Sequence, residues 1–186
     1  MIHHVSFGVR EPERVAQVLA GLMQATTVRA PTPPFPSGSW LVVAGDAHGS
    51  FLEILPATSV FDPNAPLGVR QRPATFEPAG THVLVSADVS REAIRAAAAR
   101  EGWRAEEVET GLFRIIKLWI DGNVLVEFLA KGETARYVDA FGAAGIASLG
   151  GTLRDLEAKL AVALSQTFAP DVLAEALGSD GQEVQV

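Results

Sequence analysis

Two strand-like runs of this sequence each hold a single glutamate among branched and aromatic residues. The runs are Ser50–Leu55 (SFLEIL) and Asn123–Leu129 (NVLVEFL), and the glutamates are Glu53 and Glu127. Runs of this kind are typical of buried strands. Moving an ionised carboxylate out of water costs several kcal/mol of free energy unless a cation, metal or hydrogen-bond donor compensates the charge. Each glutamate therefore needs a partner inside the fold.

The order of predicted elements around these runs occurs twice. Ile2–Val9 alternates as a half-buried strand, Pro12 suits the start of an amphipathic helix, and two further strands precede the Glu53 run. From Thr81 a strand, a helix that Ser90 can cap, and two more strands lead to the Glu127 run. Asp121-Gly122-Asn123 is expected to form the tight turn into that run. Each half therefore reads as β-α-β-β-β.

Histidines open both halves at matching places. His4 precedes Glu53 by 49 residues, and His82 precedes Glu127 by 45. Nearly equal offsets between equivalent positions indicate a duplicated supersecondary unit. His3 is an alternative to His4, because a one-residue shift in strand register would exchange the faces on which the two histidines lie.

The predicted organisation has four parts: a first module at residues 1–57, a linker at 58–80, a second module at 81–130 and a helical C-terminal extension at 131–186. Prolines, glycines and polar residues dominate the linker. In the extension, Thr152 and Asp155 predict a capping box that follows a glycine-rich interhelical loop. A row of leucines after it suits packing on the domain or a contact in a homodimer.

Composition excludes several classes. The chain of 186 residues has no cysteine, which rules out disulfides, thiolate nucleophiles and Cys-ligated metal. A net charge of −7 argues against a nucleic-acid partner. No apolar run reaches the roughly 18 residues of a membrane span, and the start of the chain lacks a signal-peptide pattern. We therefore expect a cytoplasmic protein that does not act on membranes.

The two units resemble the vicinal oxygen chelate superfamily, which includes glyoxalase I, bleomycin-resistance proteins and extradiol dioxygenases. The likeness rests on opening strands of the form x-His-Val (IHHV, THVLV) and closing strands of the form x-Glu-x (SFLEILP, VLVEFL), and it covers about residues 1–130. It implies an α+β fold in which two tandem βαβββ modules form a cup-shaped mixed sheet. It also implies four metal ligands: His4, Glu53, His82 and Glu127.

This ligand set suits a divalent first-row ion such as nickel, cobalt, zinc, manganese or iron. The resemblance then implies a glyoxalase-like lyase or isomerase that acts on a small oxygenated or carbonyl substrate. Such a metal can acidify a C–H bond next to the bound oxygens while Glu127 moves the proton. Four residues are candidates for the substrate pocket: Trp40, Phe51, Arg114 and Trp119.

Other interpretations stay open. The protein could be a metal-free one that binds or sequesters a small molecule, as bleomycin-resistance proteins do. It could also be an iron(II) oxygenase of the extradiol dioxygenase type, which uses two histidines and one carboxylate and leaves Glu53 outside the ligand set. In a metal-free cup, Glu53 and Glu127 could instead form ion pairs with Arg114 or Lys117.

Overall fold

The computed structural model describes residues 3–32, 35–65, 68–77 and 82–177. The chain divides into two compact units, Met1–Arg136 and Tyr137–Val186. The predicted strand positions Ile2 and Thr81 and the end of the extension from Gly178 lie outside the described residues.

Ten strands and five helices make up the described part of the chain. The first half contains β1 (His4–Val9), α1 (Pro12–Met23), β2 (Thr26–Arg29), β3 (Trp40–Val43) and β4 (Phe51–Pro56). A hairpin follows, made of β5 (Ser59–Phe61) and β6 (Val69–Gln71). The second half contains β7 (His82–Ser86), α2 (Arg91–Glu101), β8 (Arg104–Glu109), β9 (Arg114–Ile120) and β10 (Val124–Leu129). The last helices are α3 (Glu133–Phe141), α4 (Ile146–Thr167) and α5 (Pro170–Leu177).

The two halves have the same strand order. One sheet runs β1-β4-β3-β2 and the other runs β7-β10-β9-β8. In both, the first strand of the half pairs in parallel with the last, and the other pairings are antiparallel. The predicted α+β class with two βαβββ modules is therefore confirmed.

One face of each sheet packs on the helix of its own module. In the first module Val42 and Ile54 are buried with Leu19 of α1, and in the second Leu118 and Phe128 are buried with the core that contains α2. Because side chains alternate along a strand, Glu53 and Glu127 belong to the opposite side of their sheets. We call this side the glutamate face. It carries, among others, His4, Ser6, Phe51 and Glu53 in the first sheet and His82, Leu84, Trp119 and Glu127 in the second.

Local signals fixed several element ends as expected. Pro12 is the first residue of α1, and the Ser90 hydroxyl accepts a 3.2 Å hydrogen bond from the Ala93 N–H at the start of α2. Between β9 and β10, Asp121 and Gly122 both have positive φ, 53° and 79°. Two such residues in succession form the hairpin turn that matches the twist of paired strands.

The start of helix α4 differs from expectation. Helix α4 begins at Ile146, so the capping-box prediction was wrong: Thr152 lies inside the helix, where its hydroxyl donates to the Ser148 carbonyl at 3.1 Å. Gly150 and Gly151 also lie inside α4, although each interior glycine costs roughly 1 kcal/mol of helix stability. The predicted linker contains the β5–β6 hairpin. Among the described residues, no helix combines the length and the apolar character that crossing a bilayer requires.

The cap at Ser90 gives a test of the second module. Ser90→Ala removes the acceptor for the Ala93 N–H, and we expect it to lower the free energy of unfolding by about 1 kcal/mol. Ser90→Asp keeps an acceptor and should retain most of the stability. Urea denaturation of both variants measures this, and equal stability of Ser90→Ala and the unchanged protein would contradict the assignment.

Candidate functional site

The strand registers place the two His–Glu pairs in equivalent positions. In the first module His4 lies opposite Phe51, and Glu53 follows two residues later, opposite Ser6. In the second module His82 lies opposite Leu125, and Glu127 again follows two residues later. A step of two residues keeps a side chain on the same face of a strand. Each module therefore presents one histidine and one glutamate on the glutamate face, on neighbouring strands.

His82 and Glu127 are in contact. The Nε2 of His82 lies 3.5 Å from Oε2 of Glu127, and the two side chains are 50% and 14% exposed. An imidazole and a carboxylate at this distance can form an ion pair when the imidazole is protonated. They can also turn toward a shared cation when it is neutral.

The pair in the first module is separated. Glu53 is 4% exposed, and its Oε2 accepts a 2.5 Å hydrogen bond from the Ser6 hydroxyl. His4 is exposed and stacks on the Phe51 ring, with centroids 4.6 Å apart and planes 6° apart. Within the described part of the chain, no hydrogen bond or ion pair joins His4 to Glu53.

The four predicted ligands have the right donor chemistry for a divalent ion, but their side chains do not converge. In the described ranges no group of three or more His, Asp and Glu side chains could hold a metal. What the fold supplies is the His82–Glu127 pair, a buried Glu53 whose partner is a hydroxyl, and His4 on the same face as Glu53. The ligand assignment stays a prediction.

The four predicted pocket residues lie in different places. Phe51 and Trp119 are half-buried on the glutamate face, where Phe51 carries the His4 ring and Trp119 lies opposite Leu125. Trp40 lies opposite Ile54 and packs against the core, so it is on the other face. Arg114 is also on that face by alternation, with its Nε 3.3 Å from Glu109 and 3.6 Å from Glu107.

The alternative of a direct ion pair for each glutamate is not seen. Arg114 is engaged by Glu107 and Glu109, and Lys117, although opposite Glu127 in the register, makes no ion pair with it among the described residues. The carboxylates of Glu53 and Glu127 therefore have neutral or titratable partners, not fixed cations.

The residues next to His4 settle the question of register. His3 precedes β1, and its Nδ1 lies 2.9 Å from the backbone carbonyl of His48. His48 belongs to the turn before β4, where Asp46 accepts hydrogen bonds from the backbone N–H groups of Ser50 and His48. These hydrogen bonds lower the pKa of Asp46 to about 2, and the bond from the Ser50 N–H contributes most. His4, and not His3, shares a face with Glu53.

Two cavities border the first strands of the modules. One, of about 360 Å³, is lined by His3, His4 and Phe51 on one side and by His82 and Leu84 on the other. The second, of about 270 Å³, also reaches His82 and adds Ser6 and Asn123. Ser6 is not among the site residues predicted from the sequence, although its position two residues after His4 placed it on the same face as that histidine. Nor is Asn123, for which the turn pattern gave no functional signal.

No protein-family model and no curated protein matches the sequence. Solved structures similar to this chain include the fosfomycin resistance protein FosX of Listeria monocytogenes complexed with Mn(II) and sulfate. It has 13% identity and a TM-score of 0.48, over 76% of this chain and 96% of that one. FosX of Mesorhizobium loti has 16% identity and a TM-score of 0.44, over 74% and 96%. A possible glyoxalase of Bacillus cereus has 14% identity and a TM-score of 0.42, over 69% and 97%. The fold assignment itself rests on the strand order and register above, which show two βαβββ modules of equivalent topology.

The Ser6–Glu53 hydrogen bond generates a prediction. Ser6→Ala leaves a buried carboxylate without its hydroxyl donor, and we expect a loss of about 1–3 kcal/mol in the free energy of unfolding. In a Glu53→Leu background the same Ser6 substitution should have an effect several-fold smaller, because the acceptor is gone. Urea denaturation of the four proteins measures the coupling. Equal losses in both backgrounds would show that Ser6 acts through something other than Glu53.

Proposed function

We propose that this protein is a divalent-metal-dependent enzyme of the vicinal oxygen chelate type, which moves a proton within a small oxygenated or carbonyl substrate. The observation that carries the proposal is the contact of His82 with Glu127 at the position that His4 and Glu53 occupy in the other module. Duplicated His and Glu side chains on one face are what a mixed nitrogen and oxygen site for a first-row ion requires.

Each residue has a proposed role. His4, Glu53, His82 and Glu127 would hold the ion, which supplies a Lewis acid for two neighbouring substrate oxygens. Glu127 is the proposed acid–base group: its carboxylate takes the proton from the carbon next to the polarised oxygen and returns it to the neighbouring atom. Its small exposure limits exchange of that proton with water.

The proposal also includes the type of substrate, the cellular location and the oligomeric state. The substrate would be a small molecule, and the enzyme would act in the cytoplasm as a homodimer. Support for the dimer comes from α4, where Leu153 and Leu160 are 41% and 44% exposed on a row with heptad-like spacing. Nickel, cobalt, zinc, manganese and iron all suit the donor set.

One observation favours a second candidate. The Ser6 hydroxyl donates to one carboxylate oxygen of the buried Glu53. In this candidate Glu53 stays outside the ligand set, which then consists of two histidines and one carboxylate: His4, His82 and Glu127. That set is the one used by non-haem iron(II) oxygenases. A protein that consumes oxygen with a catechol and needs iron(II) would fit this candidate and not the proton-transfer enzyme.

Metal content tests the proposed site directly. Protein purified without a histidine tag should bind close to one equivalent of a first-row ion after incubation and desalting. His4→Ala and Glu127→Ala should each lower the bound metal by about 10-fold or more. Plasma mass spectrometry measures the ion.

His48→Ala is the matched control, because His48 is an exposed histidine of a turn, and it should bind as much metal as the unchanged protein. Glu127→Gln should abolish proton exchange at the substrate carbon while the melting temperature changes little. If none of the five ions binds, or if His48→Ala loses as much metal as His4→Ala, the proposed metal site is wrong.

A further inference from the structure

The larger of the two cavities has a mostly apolar wall. Its volume is about 360 Å³, and residues of β1, β4 and β7 line it. We call it the edge cavity. The apolar side chains of its wall include Val5, Met23, Leu52, Val83, Leu84 and Val85. Among the described residues, no Asp, Glu, Lys or Arg lines it. The edge cavity therefore favours an apolar, uncharged group, because burial of a charge without a partner costs free energy.

Two histidines connect the edge cavity to the proposed metal site. His4 and His82 both line the cavity, and His82 lies 3.5 Å from Glu127. A carbonyl group beside these histidines would leave the rest of the substrate against the apolar wall. The composition of that wall therefore bears on the class of substrate.

The ring of Phe51 shows which apolar group the cavity accepts. The His4 imidazole lies flat on one face of it, with ring centroids 4.6 Å apart and ring planes 6° apart. Within the described residues, the exposed His4 side chain makes no hydrogen bond or ion pair. Because the stack is an aromatic contact without a polar anchor, a ligand ring can replace the imidazole by a contact of the same kind.

The volume of the edge cavity suits one aromatic ring with a short substituent. An apolar cavity of about 150 Å³ is enough for benzene. The volume that remains corresponds to roughly seven waters at about 30 Å³ each. That is room for a carbonyl group and one or two further carbons or oxygens.

We infer that the substrate of this site is an uncharged aryl carbonyl compound, whose ring displaces the His4 imidazole from the face of Phe51. The apolar wall of the edge cavity surrounds the ring, and the carbonyl group lies toward His82. Displacement frees His4 to turn toward Glu53, which is on the same face of the sheet. The inference rests on the proposed function in calling the ligand a substrate, but binding of the ring itself needs no metal.

Three probes separate the ring from the charge. α-Hydroxyacetophenone has the ring and an uncharged carbonyl group, hydroxyacetone has a methyl group in place of the ring, and mandelate has the ring with a carboxylate. We expect chelator-treated protein to bind α-hydroxyacetophenone about 10-fold or more tightly than either of the others, measured by ligand-observed NMR titration. Equal affinity for hydroxyacetone or mandelate, or no binding of α-hydroxyacetophenone, would overturn the inference.

Variants with opposite effects locate the ring. Phe51→Leu keeps an apolar side chain but loses the flat face, and it should weaken binding of α-hydroxyacetophenone by about 3- to 10-fold. Phe61→Leu is the matched control: Phe61 is 63% exposed in β5 and does not line the edge cavity, so this variant should bind like the unchanged protein.

His4→Ala removes the ring that competes for Phe51, so binding of α-hydroxyacetophenone should become several-fold tighter. A ligand contact made by His4 would give the opposite result. Unchanged affinity in Phe51→Leu, or unchanged or weaker binding in His4→Ala, would refute displacement.

The imidazole itself reports whether it is displaced. Protons held over an aromatic face have resonances shifted by the ring current, and His4 should show this shift. Comparison with His4→Ala assigns its signal among those of the four histidines. Saturating α-hydroxyacetophenone should move the signal toward that of a free histidine, and ligand binding that leaves it in place would overturn the inference.

Metal content distinguishes failure of this inference from failure of the proposed function. Protein that binds a first-row ion but not α-hydroxyacetophenone would refute the inference and leave the metal site standing. Protein that binds α-hydroxyacetophenone with displacement of His4, but none of the five ions, would support the ring site and refute the metal-dependent reaction.

Discussion

The parallel pairing of the first and last strand of each module determines where every candidate residue lies. A parallel pair cannot be closed by a tight turn, so its two strands need a longer connection, which in each module contains a helix and two strands. The helices α1 and α2 then cover one face of each sheet and bury Leu19 and Ile94 there. The other face holds the polar side chains of the paired strands. A slip of one residue in either pairing would place Glu53 or Glu127 in the apolar core.

The difference between the modules follows from one position in that register. Glu53 has Ser6 as its parallel neighbour, and Glu127 has Leu84. A serine hydroxyl can donate to a carboxylate and a leucine cannot, so Glu53 is held by Ser6 while Glu127 lies beside His82. The two modules have equivalent registers, and this difference at one position gives the two glutamates chemically distinct surroundings. Glu53 is buried and hydrogen-bonded, whereas Glu127 is more accessible and contacts a titratable imidazole.

Much of this arrangement was readable from the sequence, and the reasons are local. Alternation, the Ser90 cap and the Asp121–Gly122 turn each depend on a few neighbouring residues, and all three occur as predicted. The partners of the side chains were harder to predict from the sequence, because they depend on contacts between strands that are distant in the chain. Nothing local indicates that Phe51 would hold the His4 ring or that Arg114 would be taken by Glu107 and Glu109. The glycines before Thr152 were misleading: local propensity predicted a loop there, whereas Gly150 and Gly151 lie inside α4.

Two cavities lie at the boundary between the two sheets. β1 and β7 are edge strands of separate sheets, and no backbone ladder joins them. Unpaired edges are usually a liability, because they invite other chains. Here residues of both edges line the same two cavities, and His82 borders both. If β1 and β7 paired with each other, the space beside Ser6 and His82 would narrow. The volume of both cavities therefore depends on the two modules forming separate sheets within one unit.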